Sequence, residues 1–110
     1  MKHLSKKKCT PRLGGIPPLM EKEINEYLTK LNGWEVVNLH HLLKIFLFSD
    51  FKSALAFVNK AGEISEEENH HPYINFTWGK VEISIWTHKI DGLHENDFIL
   101  AAKIDTIINS

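Results

Sequence analysis

Tyr73-Ile74-Asn75-Phe76-Thr77-Trp78-Gly79-Lys80-Val81-Glu82-Ile83-Ser84-Ile85-Trp86-Thr87 alternates apolar and polar residues on both sides of Gly79-Lys80. Alternation at a period of two marks half-buried strands, and a short Gly-containing break between two such runs marks a hairpin. With Gly79-Lys80 as the loop, Trp78 faces Val81, Phe76 faces Ile83 and Ile74 faces Ile85, forming an apolar patch for helices to cover. The other face pairs Thr77 with Glu82, Asn75 with Ser84, and Tyr73 with Trp86. One step further, His71 falls opposite His88, and opposed side chains have β-carbons about 4.5–5.5 Å apart. A slip by one residue would exchange the two faces.

Immediately before the hairpin stands Glu66-Glu67-Glu68-Asn69-His70-His71-Pro72, and Asp97 lies beyond it. Histidine is the side chain whose ordinary pKa places proton exchange in the physiological range. Three histidines gathered with carboxylates form a candidate acid–base site. The bland alternative is a set of rim histidines hydrogen-bonded to backbone or to Glu66. Asp97 has its own bland reading: with His94 as the N-cap, it sits at the third helical position, where a carboxylate receives the cap amide. His70 and His71 are neighbours, so an extended backbone points them to opposite sides. That makes them poor joint ligands. A site through His71, His88 and Asp97 has no His-rich spacing behind it, and no metal is expected.

The flanking chain predicts three helices and a second strand pair. Residues 1–18 read as a flexible basic arm and 19–110 as a single domain. Met20, Ile24, Tyr27, Leu28 and Leu31 make one helical face from about Leu19, ended by Asn32-Gly33. Trp34–Val37 and Leu42–Phe48 read as strands; the second is apolar on both faces, as if covered on both sides, one of them by a second subunit. His40 and His41 fall in the turn between these strands and read as exposed loop histidines. Ser49 or Asp50 caps the next helix, whose stripe is Phe51, Ala54, Leu55, Val58 and Ala61, fading near Gly62. Glu63–Glu68 reads as a solvated acidic run. A last helix from about His94 to Ile108 carries Leu100, Ala101, Ile104, Ile107 and Ile108. Strand pairs separated by helices argue for an α+β fold with an antiparallel sheet.

Composition narrows the function. The hydrophobic content of 43% is ordinary for a globular protein. Lys2, Lys6, Lys7, Lys8 and Arg12 crowd the first twelve residues, leaving eight basic against all fourteen acidic residues, a net of −6. A body of that sign does not suit nucleic-acid phosphates. Cys9 is the only cysteine, which precludes an internal disulfide. No apolar run approaches the ~20 residues that cross a membrane. The expected compartment is the cytoplasm.

Glu66, His70-His71-Pro72, His88 and Asp97, at these spacings, resemble the pterin-4a-carbinolamine dehydratase family. Gly33-Trp34, Phe48-Ser49-Asp50-Phe51, and Thr87-His88 followed by Gly92-Leu93 extend the resemblance over about residues 20–108. The resemblance implies an α+β fold with a four-stranded antiparallel sheet and three helices, in the order helix-strand-strand-helix-strand-strand-helix, assembled as a homodimer or homotetramer. It implies a hydro-lyase that converts 4a-hydroxytetrahydrobiopterin to quinonoid dihydropterin and water, recycling the cofactor of aromatic amino acid hydroxylases, without a metal or organic cofactor. Such a hydroxylase is the implied pathway partner. Carried over by position, His70 and His88 would be the acid–base groups and His71 a pterin-orienting donor. Glu66 and Asp97 would orient the histidines or the pterin, and Trp86 would supply an apolar wall. The alternative is a non-catalytic dimerisation or coactivator module on the same fold, since some members of the family act so. His94 departs from the small hydroxyl residue often found there, which should weaken the last helix's cap by up to about 1 kcal/mol.

Overall fold

The computed structural model of the chain describes residues 3–10 and 15–109. A 3₁₀ turn at Leu4–Lys6 precedes α1 (Glu21–Leu28), β1 (Glu35–Val37), β2 (His41–Leu47), α2 (Phe51–Glu68), β3 (Tyr73–Thr77), β4 (Lys80–Ile85), a second 3₁₀ turn at His88–Ile90, and α3 (Glu95–Asn109). The strands form one antiparallel sheet in the order β1-β2-β4-β3. This is the α+β architecture that the pattern predicted.

The hairpin is present, but its turn is Trp78-Gly79, one residue earlier than expected. The register is therefore Tyr73↔Ser84, Ile74↔Ile83, Asn75↔Glu82, Phe76↔Val81 and Thr77↔Lys80. A slip of two keeps both faces but removes the His71–His88 pairing, and the ladder ends at Tyr73. Contact with the end of β2 explains the shift. The Phe48 N–H donates to the Gly79 carbonyl at 2.8 Å. A β-carbon at position 79 would lie 2.8 Å from the Phe48 oxygen, so glycine must occupy the second loop position.

Leu42, Phe46, Val81, Ile83 and Ile85 are buried on the helix side of the sheet. Phe46 packs at a tilt of 42° against Phe57 of α2, with ring centroids 4.6 Å apart. On the opposite face Ile45 is 48% and Leu47 78% exposed, so the chain's own helices cover only one face. Strand β2 starts at His41, which lies opposite Val37 instead of in the turn.

Two helices differ from expectation. The first ends at Leu28, with Lys30 N–H to Tyr27 O and Leu31 N–H to Leu28 O finishing it as tighter turns. Helix α2 runs through Gly62 to Glu68, so the acidic run is its last two turns. The Asp50 carboxylate accepts from Ser53 N–H at 2.7 Å and starts it. Its buried stripe is Ala54, Phe57, Ala61 and Ser65, whereas Phe51 and Leu55 are surface residues. The stripe continues past the glycine, and a mid-helix glycine costs only about 1 kcal/mol relative to alanine.

Residues 3–10 lie against the helices; residues 1, 2 and 11–14 of the expected arm fall outside the described residues. Leu4 is buried in the core. Lys7 pairs with Glu95, and Lys103 Nζ donates to Ser5 O at 3.1 Å. The Cys9 N–H donates to Glu68 Oε1 at 2.8 Å. Thr10 and Asn96 exchange two bonds, N–H to Oδ1 at 2.9 Å and Nδ2–H to O at 2.8 Å. Burial pushes the Glu68 carboxyl up, but the Cys9 amide and the Lys103 ammonium more than offset it, and the group is held below its usual range. A carboxyl made more acidic by folding contributes stability present above its unfolded pKa and lost as pH falls through the folded value. Glu68→Gln is therefore expected to destabilise by about 1–3 kcal/mol at pH 7. Urea midpoints should show that difference shrinking below pH about 4.5.

Candidate functional site

His70 is placed by the way α2 ends. Asn69 adopts the left-handed conformation, φ 52° and ψ 42°, which asparagine tolerates better than most residues. Its N–H returns to Glu66 O and that of His70 to Ser65 O, the paired bonds of a Schellman ending. The imidazole that emerges is 96% buried, with Nε2 2.6 Å from Asp97 Oδ1.

Asp97 is wholly buried in the first turn of α3. Its Oδ2 accepts the Thr87 hydroxyl at 2.9 Å and the His94 backbone N–H at 2.8 Å. The capping role and contact with a histidine thus coexist in one carboxylate. Opposite an ionised carboxylate, which only accepts, the hydrogen of this bond belongs to Nε2 of His70. His94 is a better start to the helix than its residue type suggested, because its Nδ1 accepts the Asn96 N–H at 3.0 Å.

Thr87 is fixed from the other side by a tight loop. Its N–H donates to Gly92 O at 2.9 Å, closing the turn that carries His88. A β-carbon at Gly92 would come within 2.7 Å of Pro18, so only glycine lets the loop lie against the segment leading into α1.

The other histidines are wetter. His71 Nε2 bonds Glu66 across one turn, and both side chains are exposed. His88 is exposed, its ring tilted 33° against Trp86 with centroids 4.4 Å apart. His70, His71, His88, Asn69 and Lys89 line a cleft of about 240 Å³. The three expected histidines therefore meet at one opening although no cross-strand pair joins them. Trp86 packs against the His88 ring and is not among the residues lining that cleft.

Thr87, Asn69 and Lys89 were not singled out as site residues from the sequence, and none carries a signal of its own. His40 and His41 are also better connected than loop residues. Their rings lie 5.3 and 5.8 Å from Trp86, and their Nδ1 atoms are 3.0 Å apart. His40 Nε2 is 2.8 Å from Asp91 Oδ1. Burial and the neighbouring His40 push His41 below the usual histidine range.

The sequence profile described as pterin 4 alpha carbinolamine dehydratase matches residues 17–107. The chain belongs to that family. It is thereby a hydro-lyase by family. A relative from Rubrobacter xylanophilus, named "Putative pterin-4-alpha-carbinolamine dehydratase", is 52% identical over 97% of this chain and its own full length. One of the same name from Rickettsia canadensis is 55% identical over 96% of this chain and 97% of itself. Both alignments reach into the N-terminal segment that the profile omits. A Brucella melitensis crystal structure titled as a transcriptional coactivator/pterin dehydratase superposes with a TM-score of 0.78 at 33% identity, covering 82% of this chain and 97% of that one. A pterin dehydratase-like protein described as a RuBisCO assembly factor in the alpha-carboxysome superposes with a TM-score of 0.62 at 27% identity, covering 72% and 93%.

In this dehydratase-family chain the two carboxylates should be energetically unlike. Asp97→Ala strands three donors, the buried His70 imidazole and Thr87 hydroxyl and the half-buried His94 amide, and is expected to cost at least about 3 kcal/mol in chemical denaturation. Glu66→Ala breaks an exposed pair and should cost less than about 1 kcal/mol.

Proposed function

We propose that this protein dehydrates 4a-hydroxytetrahydrobiopterin to quinonoid dihydropterin, recycling the pterin used by an aromatic amino acid hydroxylase. The observation that carries the reading is the buried His70–Asp97 pair at the wall of a cleft shared with His71 and His88. In the reaction the C4a–O bond breaks with a proton delivered to the departing hydroxyl. The N5–H bond gives up its proton, and C4a=N5 forms. Both transfers need groups that exchange protons near neutral pH. His70, its tautomer set by Asp97, and the exposed His88 serve as the acid–base groups. His71, tethered by Glu66, keeps Nδ1 to orient the pterin ring, and Trp86 steadies His88 by ring contact. Exposed Ile45 and Leu47 on the uncovered sheet face favour a homo-oligomer.

The test is the decay of the ultraviolet signature of freshly generated 4a-hydroxytetrahydropterin, with exhaustive chelator present. The chain should accelerate the decay, and each acid–base group should account for roughly 10²–10⁴-fold. His70→Ala with His88→Ala should return the rate to background while the protein stays folded. Loss of activity on chelation, or full activity in the double variant, would overturn the assignment.

The same exposed sheet face favours a second reading, a dimerisation or coactivator module that uses the fold without its chemistry. Under that reading the double variant keeps partner binding, and the wild type shows no acceleration.

A further inference from the structure

We infer that residues 3–10 act as a positioning segment that sets the His70–Asp97 geometry, an inference that rests on the catalytic reading of that pair. The two partners come from different elements, His70 from the end of α2 and Asp97 from the start of α3. One short stretch of chain grips both ends. Cys9 holds Glu68, two residues before His70, through its amide. Thr10 holds Asn96, the residue before Asp97, through two reciprocal bonds, and Asn96 is 1% exposed. Lys7 pairs with Glu95 in the same turn of α3.

Two further contacts anchor the stretch along α3. Leu4 inserts into the core at 6% exposure, and the Ser5 carbonyl accepts from Lys103, whose ammonium also lies 3.5 Å from Glu68. The segment therefore ties together the same two helix ends that the His70–Asp97 bond joins, from one residue before Asp97 and two before His70. Burial of Asn96 matters here. A buried amide with its donor and acceptor both engaged fixes its neighbour's backbone more firmly than an exposed contact can. Lys7, Cys9 and Thr10 thus belong to the site's frame, not to a solvated tail.

Leu4→Ala and Asn96→Ala, made in the full chain, separate positioning from general stability. Local opening is read by hydrogen exchange at the His70 and Asp97 amides, with the amides of central strand β4 as the internal reference. Each variant should speed exchange at His70 and Asp97 by at least about tenfold while β4 changes much less. Each should lower kcat roughly 10- to 100-fold with a smaller change in KM, as expected when acid–base groups are displaced without being removed. The exposed Lys8→Ala variant should match wild type in both respects. Exchange that rises equally everywhere, or kcat unchanged while local exchange rises, would overturn the inference. If the wild-type protein shows no dehydratase activity, the catalytic reading falls, and local exchange alone decides the structural claim.

Discussion

One buried carboxylate ties the molecule together where its chemistry would occur. Asp97 receives the imidazole that leaves α2, the hydroxyl of Thr87 from the loop after β4, and the backbone amide that opens α3. A carboxylate removed from water is tolerable only when its oxygens are saturated by donors, and here three separate parts of the chain supply them. Sheet, middle helix and last helix must therefore all be in place before His70 is held. Folding and assembly of the site are one event.

The contrast between the two faces of the cleft follows from this. His70 is locked in a dry setting with a fixed tautomer, while His71 and His88 stand in water with an exposed carboxylate and an indole for company. A rigid proton-exchanging group beside adaptable ones suits a reaction that moves one proton to an oxygen and takes another from a nearby nitrogen. Rigid placement lowers the entropic part of such a barrier, and solvent access lets the groups reset between turnovers.

Local pattern made the architecture readable, and long-range contact hid the remainder. Alternation through Tyr73–Thr87 was enough to establish the hairpin, because a period of two has few other interpretations. The position of its turn depended on the backbone of Phe48, thirty-one residues before Gly79, which no hairpin rule sees. Helix α2 outlasted Gly62 because Ala61 and Ser65 are buried on a neighbouring surface. Glu66, His70, His71, His88 and Asp97 could be named together through the family resemblance, and Asp97 by itself read only as a cap; the link from His70 to Asp97 could not be named. The bond between His40 and Asp91 crosses fifty-one positions and was equally invisible. Asp97 shows why a capping residue and a site residue need not be rival readings: one oxygen takes the histidine, and the other caps the helix.

The most direct measurement is the tautomeric state of His70, read from long-range proton–nitrogen NMR correlations of the neutral imidazole in the intact protein. A carboxylate that organises this site predicts a hydrogen on Nε2, slow to exchange, and an unprotonated Nδ1. A hydrogen on Nδ1 with Nε2 unprotonated would contradict the account, because Asp97 could then not be the partner that holds His70 in place.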